Sequence, residues 1–469
     1  MTDTSCNKKM EKPNPLSNPV FRNLFIAQVI ALVGTGLSTV GLSLLAYNLA
    51  GDNAGRVLGI ALAYKMIAYV FFAPLAGAIV HRFDRKPFLI SLDIIRALLV
   101  LLMPFVSQLW HIYALIFLLN IFSAGFKPVF QAVIPDILED EEQYGKALSY
   151  SRLAYDLENL LSPSFAAIAL FFFSYSGLFV GNSMAFICSA AIIVVTMMPI
   201  AKPAQRTGSL IDEVSFGIKS YFKTPRLRTL LILYFAVACS SAMLIVNTII
   251  YVKEYLGGSD SDLAIFFAFS GFGSVLAALF YPQLSKYIKD KPIVQSGTLL
   301  MSVGLVLMST MPSYFYALPC WFLVGIGWSL VQTPSGKIVN ISASPSDRTS
   351  YFSAQFALSH LCWLITYPIT GFLVLYYGFS FSALFLSCIV LMCFIFSILF
   401  WPNEQDSNLT HSHESKFHTH DHNHKDQHHQ HSHDDDNLEE THGHQHEHQN
   451  ISHKHRFVID LHHQEWPKG

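Results

Sequence analysis

The run Ser149-Tyr-Ser-Arg152-Leu-Ala-Tyr155-Asp156-Leu-Glu158-Asn159-Leu-Leu-Ser-Pro163-Ser-Phe-Ala166 leads directly into Ala-Ile-Ala-Leu-Phe-Phe-Phe173. It reads as a helix in very apolar surroundings that nevertheless holds an arginine, two carboxylates and an amide. A charge at the centre of a bilayer helix costs roughly 2.5–3.5 kcal/mol on insertion scales, so such residues face a polar path or one another. A helix entering the membrane near Gly145 carries Asp156 to a depth of ~15–17 Å, about the middle of a ~30 Å hydrocarbon slab. This stretch therefore marks the heart of a transport site.

Within it, Arg152, Asp156, Asn159 and Pro163 share one helical face, whereas Glu158 lies ~200° around from Asp156. The two carboxylates thus do not chelate one ion from a straight helix. Arg152 and Asp156 read equally well as a structural pair one turn apart. Glu158, with no cation near it in sequence, is the better candidate for a metal ion or a proton.

The rest of the chain agrees with a membrane setting. Of its 469 residues, 52% are hydrophobic and 13% charged, with a mean hydropathy of +0.40, against ~25% charged in an average soluble domain. Twelve apolar spans are expected, near 21–49, 55–79, 88–107, 111–134, 146–173, 178–199, 228–254, 262–282, 293–311, 315–340, 351–376 and 379–401. The seven cysteines form no CxxC pair and suit small apolar fillers. The first residues carry Lys8, Lys9 and Lys12 without a small-residue cleavage site, so no removed signal is expected.

Lysine and arginine cluster after spans 2, 6 and 8, and the opposite loops are nearly free of them. The positive-inside rule then places both termini in the cytoplasm. Lys86-Pro87 recurs as Lys291-Pro292, Phe117-Leu118 as Phe322-Leu323, and Pro163 as Pro368, all at a shift of 205 residues. A constant shift of that size is the mark of two related six-helix halves. It sets Tyr155 opposite His360, the mid-membrane histidine of span 11. Imidazole is a common ligand for nickel, cobalt and zinc, so His360 joins Asp156, Glu158, Asn159 and Arg152 as a candidate for the transport path. Asn120 and Asn247 are added to that set. Lys65, Lys127, Gln332 and Lys337 are further intramembrane polar residues that line a cavity or bond neighbouring helices.

The expected organisation is a cytoplasmic segment 1–20, a six-helix half 21–200, a linker 201–227, a second half 228–401 and a tail 402–469. In the linker, Leu210, Val214, Ile218 and Phe222 form an apolar stripe, as on a helix lying at a membrane surface. The tail holds 18 of the 21 histidines and almost nothing apolar before Phe457, so it is expected to be disordered. Its histidines alternate with polar residues: His411, His413, His418, His420, His422, His424, His428, His429, His431, His433, His442, His444, His446 and His448. Imidazoles with an ordinary pKa near 6.5 are mostly neutral at pH 7 and free to bind divalent metal ions.

The loop Gly77-Ala-Ile-Val-His81-Arg82-Phe-Asp84-Arg85-Lys86-Pro-Phe-Leu89 resembles the signature loop of the major facilitator superfamily, Gly-x-Leu-Ala-Asp-Arg-x-Gly-Arg-Lys. Gly77, Arg82, Arg85 and Lys86 match it; His81 and Asp84 depart from it. The resemblance implies a gate built from Arg82, Asp84, Arg85 and Lys86, with Asp93 and Arg96 at hand to supply an acidic partner. Read without it, these charges only fix topology.

Gly217–Arg228 resembles the linker of efflux-type facilitators, and Asn18–Gln28, Lys65–Tyr69 and Ser151–Glu158 further resemble the nickel-resistance exporters of that superfamily, some of which end in a histidine-rich tail. This implies an all-α membrane protein of twelve helices in a bacterial inner membrane. It implies export of Ni²⁺, or of a similar ion such as cobalt, from cytoplasm to periplasm by proton antiport. The metal is then substrate, no cofactor or nucleic acid is needed, and the protein works as a monomer. No Gly-x4-Gly-Lys-[Ser/Thr] loop is present, so ATP is not the direct energy source, and enzymatic activity is not expected. Two other readings stay open. One is an exporter of an organic compound, a siderophore or drug, with a metal-responsive tail; the other is a membrane-anchored metal store or sensor.

Overall fold

Apolar runs of twenty or more residues cross a bilayer as helices, because each backbone N–H and C=O must find its partner inside the segment. The computed structural model follows that rule. It describes residues 14–50, 54–80, 83–199 and 210–402, together with 408–412, 417–422, 442–447 and 452–456. Two compact units are present, Met1–Trp401 and Pro402–Gly469.

Among the described residues, the first unit consists of helices and their connections. Its first six long helices are α1 (Pro19–Ala50), α2 (Ala54–Val80), α3 (Arg85–Leu101), α4 (Leu109–Ile137), α5 (Glu141–Leu170) and α6 (Tyr175–Val195). After the short α7 (Leu210–Lys223) come α8 (Pro225–Ile250), α9 (Asp260–Tyr287), α10 (Asp290–Ser309), α11 (Tyr314–Asn340) and α12 (Arg348–Phe400). Among the described residues, ten helical stretches are long and apolar enough to cross a membrane. The charged α5 falls outside that set despite its 30 residues. The 53-residue α12 is broken at Gly378, whose φ of 79° and ψ of 167° are not helical; glycine adopts that conformation without a Cβ clash. Exposed Phe71, Phe105, Phe171, Phe315 and Leu399 would be a liability in water and form the lipid face here.

The repeat read in the sequence is present in the helices. Pro225, Asp260, Asp290 and Tyr314 start their helices 205 or 206 residues after Pro19, Ala54, Arg85 and Leu109 start theirs. In the second half, Leu233, Val237, Met301, Trp321, Val324, Phe379 and Leu386 pack in one core around α8, the most enclosed span. The first half has two clusters, one with Phe21, Leu24, Val129 and Ile134, the other with Leu45, Ile112 and Phe179. Lipid tails are as apolar as these side chains, so close packing rather than escape from water holds such helices together.

Two expectations are corrected. The fully buried residues of α7 are Glu213, Gly217, Ser220 and Tyr221, while of the apolar stripe Ile218 packs half-buried against the core and Phe222 is exposed. The Tyr221 hydroxyl donates to Gln355 Oε1; α7 is seated on α12 rather than spread on a surface. In the second unit, four short strands stand where disorder is expected. They are β1 (Asn408–Ser412), β2 (Phe417–His422), β3 (His442–Glu447) and β4 (Ser452–Arg456), paired antiparallel as β1–β4 and β2–β3. The register sets His418, His420 and His422 opposite His446, His444 and His442, and His411 opposite His453. The alternation that suggests a metal-binding tail is also the period of an extended chain. His413, His424, His428, His429, His431, His433 and His448 lie outside the described residues. Among the described residues no three His, Cys, Asp or Glu are grouped to hold a metal ion.

Candidate transport cavity and its closed end

Charges in a low-dielectric interior are stable where they are paired and hydrogen-bonded. The span-5 charges obey this first. Arg152 Nη2 lies 2.7 Å from Asp156 Oδ1, and its Nε donates to Oδ2 at 3.2 Å. Ser274 of α9 closes the set: its hydroxyl donates to Asp156 Oδ2 at 2.7 Å and accepts from Arg152 Nη2 at 3.0 Å. The pairing of Arg152 with Asp156 is thus structural, and it ties the first half to the second.

Glu158 has no cation near it in sequence, but two other helices bring lysines to it. Lys65 of α2 and Lys127 of α4 are near enough for their charges to act on it. Lys127 Nζ also sits over the Tyr155 ring, 4.2 Å from its centroid, and 5.5 Å from that of Phe356. Asn159 lies on α5, but its side chain is outside the described set. Asn120 turns back to its own helix, donating to the Ile116 carbonyl at 2.7 Å, and buried Asn247 contacts Met243 Sδ at 3.7 Å. Neither amide opens on the cavity described next.

That cavity, of about 230 Å³, lies where α4, α5, α8, α11 and α12 meet. Lys127, Arg152 and His360 line it with the amides Gln131, Gln332 and Gln355 and the rings of Tyr155, Tyr234, Phe356 and Trp363. Among the described residues that line it, none is a carboxylate. His360 is boxed by Tyr69, Phe356 and Trp363, with ring centroids 4.8, 4.1 and 5.3 Å away. Its Nδ1 is 2.7 Å from the Phe356 carbonyl; a carbonyl only accepts, so the proton resides on Nδ1 and Nε2 keeps the lone pair.

At the end of the bundle that carries the basic loops, two ion triads join the halves. Asp136, at the end of α4, binds Arg85 of α3 at 2.6 Å and Arg348 at the start of α12. Lys337, near the end of α11, binds Asp290 of α10 at 3.0 Å and Glu141 of α5 at 2.8 Å. Arg85 and Asp290 are 205 residues apart, so the triads occupy equivalent places in the two halves with every sign reversed. Each reaches across: Asp136 grips the second half, Lys337 the first. Lys286 adds a link to Glu142 at 3.0 Å, and Tyr144 Oη donates to the Gly336 carbonyl at 3.2 Å. Gly77 of α2 meets α12 so closely that a Cβ there would fall 2.3 Å from Ser353 Oγ.

Of the gate residues expected from the loop, Arg85 joins one of these triads, with Asp136 rather than Asp93 as its acid. Asp93 is fully buried, pairs with Arg96 and accepts from Ser189 Oγ at 2.7 Å. Arg96 is held between the Phe126 and Phe186 rings, 4.3 and 4.4 Å away. Both belong to the packing of the first half. Asp84 is exposed and precedes α3 without a side-chain cap bond; Lys86 lies in its first turn. Arg82 lies outside the described residues.

A family profile described as "Transmembrane secretion effector" matches residues 12–345, well over half of the chain. The chain belongs to this family of major facilitator transporters. It is 23% identical to an uncharacterized MFS-type transporter, YfiS, of Bacillus subtilis, over 82% of this chain and 95% of that one. It is 22% identical to macrolide efflux protein A of Streptococcus pyogenes, over 67% and 80% of the two chains. A multidrug resistance protein of Salmonella typhimurium, MdtG, is 30% identical over 32% of this chain and 38% of its own. Among solved structures, the human organic anion transporter MFSD10 superposes with a TM-score of 0.72 at 15% identity, covering 82% of this chain and all of that one. A bacterial homologue of the iron transporter ferroportin superposes at 0.66 with 13% identity and the same coverage. At these identities the structures speak for the fold, a membrane-embedded facilitator.

Proposed function

We propose that the protein is an efflux facilitator of twelve spans that exports an organic compound, and that its histidine tail binds divalent metal ions as an accessory. α5 and the two parts of α12 complete the twelve. The observation that carries this reading is the lining of the cavity. A lysine, an arginine, three amides and a wall of aromatic rings suit an organic molecule with acceptor groups. A divalent cation would face Lys127 and Arg152 with one imidazole and no carboxylate to hold it. The named relatives, a macrolide efflux protein and a multidrug resistance protein, support the same class. The expectation of nickel as the cargo is set aside on these grounds.

The basic end is the cytoplasmic one on this reading, and a bacterial inner membrane is its place. Alternating access then runs by breaking the two triads to admit cargo and re-forming them to present it outside. Proton antiport is the coupling we assign, with Glu158 as carrier, because Asp156 is held by Arg152 and Ser274. Expression in a susceptible bacterial strain tests the proposal. Raised tolerance to macrolides, dyes or organic acids, kept when the chain is cut after Trp401, supports it. Raised tolerance to Ni²⁺ or Co²⁺ alone, lost with Lys127→Glu, would overturn it.

A further inference from the structure

Three features of the cavity bear on the cargo. The first is charge balance. Of the mid-depth side chains whose charges act on one another, three are cations, Lys65, Lys127 and Arg152, and two are anions, Asp156 and Glu158. Asp156 is taken up by Arg152 through two close contacts. Lys65 and Lys127 are left to share Glu158, so among these described side chains the formal charge is one negative short. In a bilayer interior such a charge is costly until a counter-charge arrives.

The second feature is the sign of the hydrogen-bonding groups. Gln332 Nε2 and Gln355 Nε2 are buried donors with no acceptor among the described residues, and both residues line the cavity. The orientation of the Gln355 amide is set by Tyr221, whose hydroxyl donates to its Oε1. Two buried N–H donors beside a lysine call for an acceptor-rich group; a buried donor left unmatched costs ~1–3 kcal/mol. The third feature is the wall. The Trp363 N–H is already used, donating to Ser241 Oγ at 2.8 Å, and the Tyr234 hydroxyl donates to Ser335 Oγ at 2.8 Å. With these polar tips occupied, the rings offer apolar surface.

We infer that the cargo is an organic anion, a carboxylate or similar acid on an aromatic or apolar body, with the acid seated against Lys127 and the amides of Gln332 and Gln355. This rests on the organic-export reading and narrows it. The acid supplies the missing negative charge and accepts from the two amides, while the body lies along Tyr155, Phe356 and Trp363. Ni²⁺ and organic cations are disfavoured by the same three features.

The test uses the full chain purified in detergent and, in parallel, in proteoliposomes. Carboxyfluorescein serves as the anionic probe, ethidium as the cationic one, and Ni²⁺ as the metal. The wild-type protein binds carboxyfluorescein by fluorescence polarisation, benzoate competes, and ethidium does not bind. Lys127→Gln weakens carboxyfluorescein binding at least tenfold, while Lys127→Arg stays within about threefold. Gln332→Leu supplies a second reading should Lys127→Gln fail to fold, with a loss of about fivefold. Ethidium bound and transported in place of carboxyfluorescein overturns the inference and leaves organic export standing. Ni²⁺ carried with neither dye overturns both. Carboxyfluorescein binding unchanged in a folded Lys127→Gln protein refutes the assignment to this cavity.

Discussion

At the basic end, Asp136 stands between Arg85 and Arg348, and Lys337 between Asp290 and Glu141. At mid-depth, three cations meet two carboxylates, and the charges that open on the cavity are Lys127 and Arg152. The same residue types thus serve two ends. Where each central charge has opposite charges from both halves, it closes the bundle; where cations outnumber their partners beside an open space, they can receive a ligand. The two triads sharpen the point, since they are mates under the internal repeat with signs exchanged. Sign reversal keeps either half from pairing with a copy of itself at this end and favours the other half as partner.

The largest effect should come from taking out a central charge. Asp136→Ala leaves Arg85 and Arg348 facing one another without an acid and should weaken closure by about 2–3 kcal/mol. A cysteine placed at Ser359, on the cavity wall, should then react at least tenfold faster with an impermeant maleimide from the basic side. Unchanged reactivity would mean that the triad does not hold this end shut. The exchange Asp136→Arg with Arg348→Asp should recover part of the closure lost in Arg348→Asp alone, a coupling of about 1–2 kcal/mol in a double-mutant cycle; additive effects would break the claim that the pair couples the halves.

A steric wedge comes next. Gly77→Val puts a side chain where a Cβ alone would lie 2.3 Å from Ser353 Oγ. It should raise the same reactivity by about fivefold, a packing cost near 1 kcal/mol. Failure to do so would show that α2 and α12 separate without consequence.

The smallest effect is one of pH. The hydrogen bond from Lys286, helped by Lys146, holds the Glu142 carboxyl below its ordinary value. A carboxyl depressed in the closed state stabilises that state above its ordinary value, and the contribution is lost as pH falls through the depressed one. Closure should therefore be insensitive to this group from pH 5 to 8 and loosen modestly below about pH 4, a step that Glu142→Gln removes. An acid step that persists in Glu142→Gln would assign it to another group.

Much of this was legible in the sequence because it is local or periodic. Apolar runs give the helices, the 205-residue shift gives the two halves, and Arg152 and Asp156 pair across one turn. The rest depends on partners distant in the chain. Asp136 meets Arg348 across 212 residues, and no spacing rule reaches that far. Gln355 is unremarkable in sequence until α7 brings Tyr221 to fix its amide. Glu158 looks bare because its cations arrive from α2 and α4. Asp93 looks like a gate acid because it follows the signature loop, yet its helix turns it inward to Arg96 and Ser189. The tail is of a different kind: its abundance of histidine points to metal, but composition alone does not say whether the metal is cargo or bystander.

The account stands on what passes through the middle of the bundle. The most direct measurement is flux in proteoliposomes of the full chain, with an organic acid dye and ⁶³Ni²⁺ followed side by side. The account predicts that the dye crosses, that Lys127→Gln slows it at least tenfold, and that ⁶³Ni²⁺ stays at the rate of empty vesicles. Rapid ⁶³Ni²⁺ flux with the dye left behind would contradict it.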